Sequence, residues 1–155
     1  MTSWDNKQSK QYEKQARATV SNAHLTLSLS QDLTGARLTD LLWDAYSAAF
    51  IDGEGSIQPG RVRAFNTYPL ILFILKDLYG GKVYSRKLKA NQKPQFEWCA
   101  YGVDFVYCLQ RILPHLVEKK KQALIALEML EYPSGTVKFK ELKSALTKAK
   151  NNRYE

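Results

Sequence analysis

Cysteine is scarce in this sequence, and its spacing excludes two classes of protein. Cys99 and Cys108 are the only two cysteines among 155 residues, and neither stands in a CxxC pair or at a ligand spacing from a histidine. A disulfide framework or a structural zinc site needs more thiols, more closely spaced. We therefore predict two packed free thiols and no zinc.

Long hydrophobic runs are also missing. No stretch approaches the ~18 consecutive apolar residues that a membrane helix needs. The first residues, Met1 to Lys7, lack the apolar core of a signal peptide. We therefore expect an intracellular protein with no membrane partner. The 45% hydrophobic content is enough for one domain with a packed core.

Acidic residues are outnumbered, and the imbalance is confined to one part of the chain. The net charge is +8. Residues 1–57 carry five bases against seven acids, whereas residues 58–155 carry eighteen bases against eight acids. A basic surface suits a phosphate-rich polymer such as a nucleic acid, although a merely basic soluble protein has the same composition.

One stretch, residues 41–57, organises the rest of the chain. It begins as a helix, because apolar residues recur at helical spacing: Leu38, Leu41, Leu42, Ala45, Ala48 and Ala49. Thr39 is a plausible N-cap for this helix. The helix runs into Asp52-Gly53-Glu54-Gly55, where two glycines predict its end. The small alanine face predicts close approach to another backbone.

The acidic turn indicates a cation. Carboxylates at a helix C-terminus oppose the helix dipole, which favours positive charge there. Carboxylates, backbone carbonyls and water are the ligands that Mg²⁺ prefers. An inert Asp/Gly surface turn is the alternative interpretation.

Residues 47–55, SAAFIDGEG, resemble the signature of the LAGLIDADG homing endonucleases. They depart from it at Ser47, Ala49 and Phe50, and Asp-Gly-Glu-Gly is a common form of its acidic end. The signature occurs once, which is typical of members that act as homodimers. Further matches extend the resemblance to residues 38–130. It implies an α+β, αββαββα fold, with an antiparallel DNA-binding sheet on one face and helices on the other.

The spacing downstream fits that order. Pro59-Gly60 predicts a turn between two strands, the second with Val62 and Ala64 facing the core. We predict strands at 56–58, 61–66, 82–89 and 95–101, helices at 68–79, 103–112 and 115–130, and a basic helix at 136–150. The domains are then a polar N-terminal extension of uncertain structure (1–37), an endonuclease core (38–131) and a basic C-terminal helix or tail (132–155). Within the extension, residues 4–18 could form a short helix, and Leu25, Leu27 and Leu29 alternate as in a strand.

The resemblance implies the chemistry of the site. Glu54 would be the catalytic metal ligand, helped by the carbonyl of Gly53. Asn66 would orient water, and Lys119 would stabilise negative charge on the reacting phosphate. The implied cofactor is Mg²⁺, with Mn²⁺ as a substitute and Ca²⁺ supporting binding without cleavage.

The resemblance also implies two surfaces. The predicted dimer interface comprises Ala45, Ala48, Ala49 and Asp52, with Asp52 stabilising the helix end. The predicted DNA-binding residues are Gln58, Arg61, Arg63, Lys82, Tyr84, Arg86, Lys87, Glu97, Lys120 and Lys121, for which a solvated basic face is the alternative. The implied function is a homodimeric endonuclease of intron-homing type, cutting double-stranded DNA at a long quasi-palindromic site. An intron RNA maturase and a non-catalytic DNA-binding protein are the alternatives.

Overall fold

A computed structural model of the protein describes residues 6–28, 33–86 and 94–151. These residues form six α-helices and four strands. The helices are α1 (Asn6–Ser28), α2 (Leu33–Glu54), α3 (Leu70–Tyr79), α4 (Val103–Ile112), α5 (Lys120–Glu128) and α6 (Val137–Asn151). The strands are β1 (Gly55–Gln58), β2 (Arg61–Asn66), β3 (Lys82–Arg86) and β4 (Gln95–Tyr101). Short 3₁₀ turns, Leu113–His115 and Met129–Glu131, follow α4 and α5.

The predicted αββαββα order is confirmed as the run from α2 to α4. The four strands form one antiparallel sheet in the order β1-β2-β4-β3, built from two hairpins joined through β2 and β4. The α+β class is therefore confirmed. The predicted domain boundary at residues 37/38 falls within α2.

The two faces of the sheet follow the alternation read from the sequence. Val62 and Ala64 have no exposed surface and lie opposite Ala100 and Trp98 on the neighbouring strand. The helices cover this face, and their apolar side chains complete the main core. Successive side chains of a strand point to opposite faces, so the intervening residues form the outer face of the sheet.

α1 differs from the sequence prediction. Residues 24–28 belong to this helix, so the strand predicted from alternating leucines is wrong there. The helix packs on α3 through Tyr12, Ala16 and Val20, which recur every four residues. Tyr12 stacks on Phe73 with ring centroids 6.0 Å apart. A helix this polar is held by its tertiary contacts, which local sequence does not reveal.

α2 is longer than predicted at both ends. It begins at Leu33, so Thr39 lies inside the helix, buried, and is no N-cap. It also continues through Gly53 to Glu54. Gly55 starts β1, and a Cβ there would lie 2.6 Å from the carbonyl oxygen of Ile51. Position 55 therefore requires glycine, because a side chain there would collide with the backbone of α2.

α3 ends at the predicted glycine pair. Gly80 and Gly81 have φ values of 77° and 82°, a region that favours glycine. The Gly80 carbonyl accepts a 2.9 Å hydrogen bond from Nε1 of the fully buried Trp98. A Cβ on Gly81 would lie 2.6 Å from the carbonyl oxygen of Cys99. The pair therefore lets α3 pack tightly against β4.

The C-terminal helices pack beside this core. α4 has the predicted bounds and buries Phe105, Leu109 and Ile112. α6 is anchored by the predicted leucines, Leu142 and Leu146, which pack with Met129.

Both cysteines are buried free thiols, as predicted. Burial raises the pKa of each thiol, that of Cys108 most. Across the described ranges, no helix is long and apolar enough to cross a membrane.

Candidate active site and nucleic-acid interface

Glu54 lies at the exposed end of α2. It is the last residue of the helix, and β1 begins at the next residue. Glu54 and Gly53 are both exposed. Helix end and sheet edge therefore meet without a connecting loop, and the Glu54 carboxylate stands at the rim of the sheet.

Asp52 turns its carboxylate toward its own chain. One oxygen, Oδ2, accepts hydrogen bonds from the backbone N–H groups of Val117 (2.8 Å) and Glu118 (3.4 Å). The other, Oδ1, accepts from the N–H of Lys119 at 2.9 Å. These groups precede the first turn of α5, where the helix dipole favours an anion. Asp52 therefore caps α5 from a position 67 residues away in sequence.

Lys119 completes a reciprocal link with Asp52. Its side chain has no exposed surface, and Nζ donates to the backbone carbonyl of Asp52. A cation there complements the negative end of α2. The acidic turn predicted a bound cation at this helix end, and the chain supplies one of its own in Lys119. The structure thus brings Lys119 to the end of α2, two residues before Glu54.

Asn66 ends β2. Its side-chain Oδ1 accepts a 2.9 Å hydrogen bond from the backbone N–H of Tyr68, which fixes the amide in a local turn. The side chain is half-buried. Ala64 of β2 pairs with Gly55, the first residue of β1. Asn66 therefore lies at the end of the sheet where α2 leads into β1.

The outer face of the sheet is cationic. The described strands place four cationic side chains and one carboxylate there: Arg61, Arg63, Lys82, Arg86 and Glu97. Tyr84 and Gln58 share this face, and Tyr84 is exposed. The predicted DNA-binding residues of the strands therefore lie together on one surface.

Glu97 bridges two arginines on this face. Its carboxylate lies 3.3 Å from Arg63 and 3.8 Å from Arg86. Both guanidinium groups also lie over the Phe65 ring, 5.4 Å and 5.3 Å from its centroid. Arg63 is held by a carboxylate and an aromatic ring, and its buried Nε has no hydrogen-bond partner among the described residues. Sequence reasoning placed Glu97 on the outer face, but not this bridge.

The remaining predicted contacts lie at the margins. Lys120 and Lys121 are exposed at the start of α5. Lys82 is exposed, and its hydrogen bond to Tyr101 raises the pKa of its ammonium group. Lys87 lies outside the described residues.

The solved structures that are similar to this chain include three complexes of homing endonucleases. The homing endonuclease I-CvuI, in complex with its target (Sro1.3) and 2 mM Ca, matches with a TM-score of 0.60 and 23% identity over 72% of this chain and 84% of that chain. I-CvuI with the I-CreI target (C1221) and 2 mM Mg, in which the DNA is not cleaved, matches with a TM-score of 0.53 and 22% identity over 74% of this chain and 81% of that chain. The archaeal intron-encoded homing endonuclease I-Vdi141I, complexed with DNA, matches with a TM-score of 0.53 and 19% identity over 68% of this chain and 82% of that chain.

The chain has the homing-endonuclease fold. The fold that the LAGLIDADG resemblance implied is therefore confirmed. No protein-family model matches the chain, and a search of curated proteins finds no match.

Within the homing-endonuclease fold, the four residues of the predicted dimer face lie on different sides of α2. Ala48 has no exposed surface and packs in the core of its own chain. Asp52 is directed at residues 117–119, as described above. Neither side chain is therefore available to a second copy. Ala49 is exposed and Ala45 half-buried, and both lie on the outward side of α2.

Sequence reasoning missed a polar network beneath α2. Asp44 is 5% exposed and accepts 2.8 Å hydrogen bonds from the Tyr79 hydroxyl and from Nε of Arg111. Burial, together with the Asp44 charge, raises the pKa of Tyr79. Asp44, Ser47, Ala48 and Ile51 recur at helical spacing on the core-facing side. The sequence feature that could have revealed this network is the single acidic residue, Asp44, on the core-facing side of the helix.

A divalent metal fits this site only in part. Within the described ranges, no group of three or more His, Cys, Asp or Glu residues could hold an ion. Glu54 and Gly53 are exposed, but the Asp52 oxygens are occupied by backbone N–H groups. Mg²⁺ binds through one or two carboxylates together with waters and phosphates. At this helix end, Glu54 is the exposed carboxylate that such an ion could use.

Proposed function

We propose that the protein is a site-specific, metal-dependent DNA endonuclease that acts as a homodimer on double-stranded DNA. The observation that carries this proposal is the position of Glu54. An exposed carboxylate stands at the rim of a cationic sheet face, where a bound duplex would bring its phosphates close to it. Three DNA complexes of two homing endonucleases, I-CvuI and I-Vdi141I, share the fold, which supports the substrate class.

The homodimer is supported by the surface of α2. Large apolar side chains, each about half exposed, follow its outward side: Leu38, Leu41, Leu42 and Tyr46. Exposed apolar patches of this kind mark interaction sites. A two-fold axis along this surface would bring two copies of Glu54 together, and with them the second carboxylate that one chain lacks.

The roles of the residues follow from their positions. Glu54 and the Gly53 carbonyl of each copy would hold a divalent metal, which supplies Lewis-acid activation of the phosphodiester. Lys119 acts as a positioning residue, because its buried ammonium group holds the helix end that carries Glu54. The Asn66 amide nitrogen remains available to orient the attacking water, since Oδ1 bonds to Tyr68.

The sheet supplies affinity and sequence recognition. Lys82, Lys120 and Lys121 are exposed point charges suited to phosphates. Arg63 and Arg86 carry forked donors that match the O6 and N7 acceptors of guanine in the major groove. A two-fold dimer reads a quasi-palindromic site, because each half-site meets the same surface.

Selection from a randomised duplex library tests the proposal. The protein is incubated with the library in Mg²⁺, and cut ends are captured and sequenced. We expect a single quasi-palindromic site, cleavage in Mg²⁺ or Mn²⁺, binding alone in Ca²⁺, and no cleavage in EDTA. Selective binding without cleavage in either metal would contradict the endonuclease and favour a DNA-binding protein of this fold. No selective binding would contradict both.

A second candidate, an intron RNA maturase, is favoured by α1. This helix exposes Lys7, Lys10, Lys14 and Arg17 at spacings of three and four residues, and its single acid, Glu13, pairs with Lys76. Such a basic stripe suits a phosphate backbone away from the sheet. Accelerated splicing of a structured intron, lost when these four residues are replaced by glutamine, is the expected result for this function.

A further inference from the structure

A basic cleft lies between the β1–β2 turn and α6. Its volume is about 540 Å³. The hairpin and the helix supply its lining: Gln58, Pro59, Arg61, Lys143, Leu146, Thr147 and Lys150. Three of these side chains are cationic and none is acidic. The cleft is thus suited to an anion.

The spacing along α6 builds one wall of the cleft. Lys143, Leu146, Thr147 and Lys150 recur at positions i, i+3, i+4 and i+7, so they share one side of the helix. Leu146 is 2% exposed and packs with Met129, which fixes how the helix is rotated. Because of this anchor, the two lysines are held beside the hairpin turn.

The opposite wall belongs to the outer face of the sheet. Arg61 and Gln58 form a pair across the β1–β2 turn, and Nε of Arg61 donates a 2.7 Å hydrogen bond to Oε1 of Gln58. That bond occupies one of the five guanidinium donors. Both residues also belong to the proposed DNA-binding face. The cleft therefore continues that face from the sheet onto α6.

We propose that this cleft binds a backbone phosphate of the DNA duplex, with Lys143, Lys150 and Arg61 as its cationic contacts. The inference rests on the proposed function, which it extends to a helix outside the αββαββα core. The turn lies five residues beyond Glu54 along β1, a span of roughly 16 Å at 3.3 Å per residue. With β1 placed along the duplex axis and the scissile phosphate beside Glu54, as the proposed function requires, the bound phosphate lies about five steps of 3.4 Å from the scissile bond.

The test uses paired charge-neutralising variants of the full chain. Lys143→Gln/Lys150→Gln removes the cleft lysines. Lys140→Gln/Lys148→Gln removes two exposed lysines of the same helix that do not line the cleft. Dissociation constants for the selected duplex are measured in Ca²⁺ by fluorescence anisotropy across a range of KCl concentrations. The two variants carry the same net charge, so they differ only in where charge was lost.

We expect the cleft variant to bind about tenfold more weakly at 0.1 M salt. The slope of the logarithm of its binding constant against the logarithm of the salt concentration should fall in magnitude by about one for each lysine. Discrimination between the selected site and a scrambled duplex stays unchanged, because phosphate contacts carry no sequence information. Ethylation of the phosphate about five steps from the cut should weaken wild-type binding and leave the cleft variant unaffected. The control variant keeps the wild-type slope to within half a unit.

The inference is overturned if both variants change the slope equally, since long-range charge alone would then explain the loss, or if neither changes it. If no selected site exists, the proposed function fails, and the same slopes are measured on a random-sequence duplex. A smaller slope for the cleft variant alone would then still establish the phosphate site. Equal slopes would reject it independently.

Discussion

Asp52 and Lys119 are linked twice: the Asp52 carboxylate accepts the Lys119 backbone N–H, and the Lys119 ammonium group donates to the Asp52 backbone carbonyl. The carboxylate caps the start of α5, and the ammonium group caps the end of α2. Each charge thus complements the dipole of the other residue's helix. This link fixes the helix end that presents Glu54.

Asp52→Asn should therefore destabilise the protein although Asp52 is only half-buried. The amide keeps one acceptor oxygen but turns an NH₂ group toward backbone donors, and it loses the charge. We expect a loss of about 2–3 kcal/mol in the free energy of unfolding, measured in urea. Asp77→Asn, which breaks an exposed 3.6 Å ion pair with Arg17, is the matched control and should cost less than about 0.5 kcal/mol.

Glu97→Gln should change affinity and specificity in opposite directions. The substitution removes the carboxylate that holds Arg63 and Arg86, and it makes the sheet face more positive. We expect several-fold tighter binding to a scrambled duplex and about tenfold weaker discrimination of the selected site. Anisotropy with both duplexes in Ca²⁺ measures the two effects. Glu131→Gln, an exposed acid outside the sheet, should leave discrimination unchanged; equal effects from both variants would argue against a positioning role.

Leu41→Glu should convert the proposed dimer into a monomer. Leu41 is 52% exposed on the outward side of α2. A charge there costs the monomer little and opposes burial against a second copy. Sedimentation velocity of the wild type should give a dimer, and that of the variant a monomer that retains its helical circular dichroism. Leu130→Glu, at 50% exposure elsewhere, should remain dimeric; a dimeric Leu41→Glu would move the interface away from α2.

Stability should fall at alkaline pH through Tyr79. Its pKa is raised in the folded protein, so above about pH 10 the unfolded chain loses the phenol proton while the folded chain keeps it. The folded state is then destabilised by up to about 1.4 kcal/mol per pH unit. Tyr79→Phe lacks this dependence and costs about 1 kcal/mol at pH 8. Urea unfolding from pH 8 to 11 should show the gap in unfolding free energy between the two proteins narrowing; a constant gap would contradict the burial of the Tyr79 phenol beside Asp44.

The core of the fold could be predicted because its signals are local. Alternation in β2 and β4, Pro59-Gly60 between two strands and Gly80-Gly81 after α3 each act within a few residues. Asp44 and its partners could not be predicted, since Tyr79 and Arg111 lie 35 and 67 residues away. The prediction of a strand within α1 was wrong, because three alternating leucines resemble a strand pattern. The packing of Tyr12 and Ala16 on α3 stabilises a helix instead.

The candidate site was likewise predicted only in part from the sequence. Glu54 and Lys119 were identified through the resemblance, and the structure brings Lys119 to the end of α2. The resemblance could not show that Ala48 belongs to the core of its own chain, because α2 is apolar on both sides. Nor could it show that Glu97 joins Arg63 to Arg86, a contact between three strands.

Cleavage of the selected duplex in Mg²⁺ by wild type and by Glu54→Gln tests whether Glu54 is the catalytic metal ligand. Glu141→Gln, an exposed acid on α6, serves as the control for loss of one charge. We expect Glu54→Gln to bind the site in Ca²⁺ with affinity equal to or tighter than the wild type, and to cut at least about a hundredfold more slowly. Glu141→Gln should cut at the wild-type rate. A Glu54→Gln protein that cuts as fast as the wild type would contradict a catalytic role for Glu54.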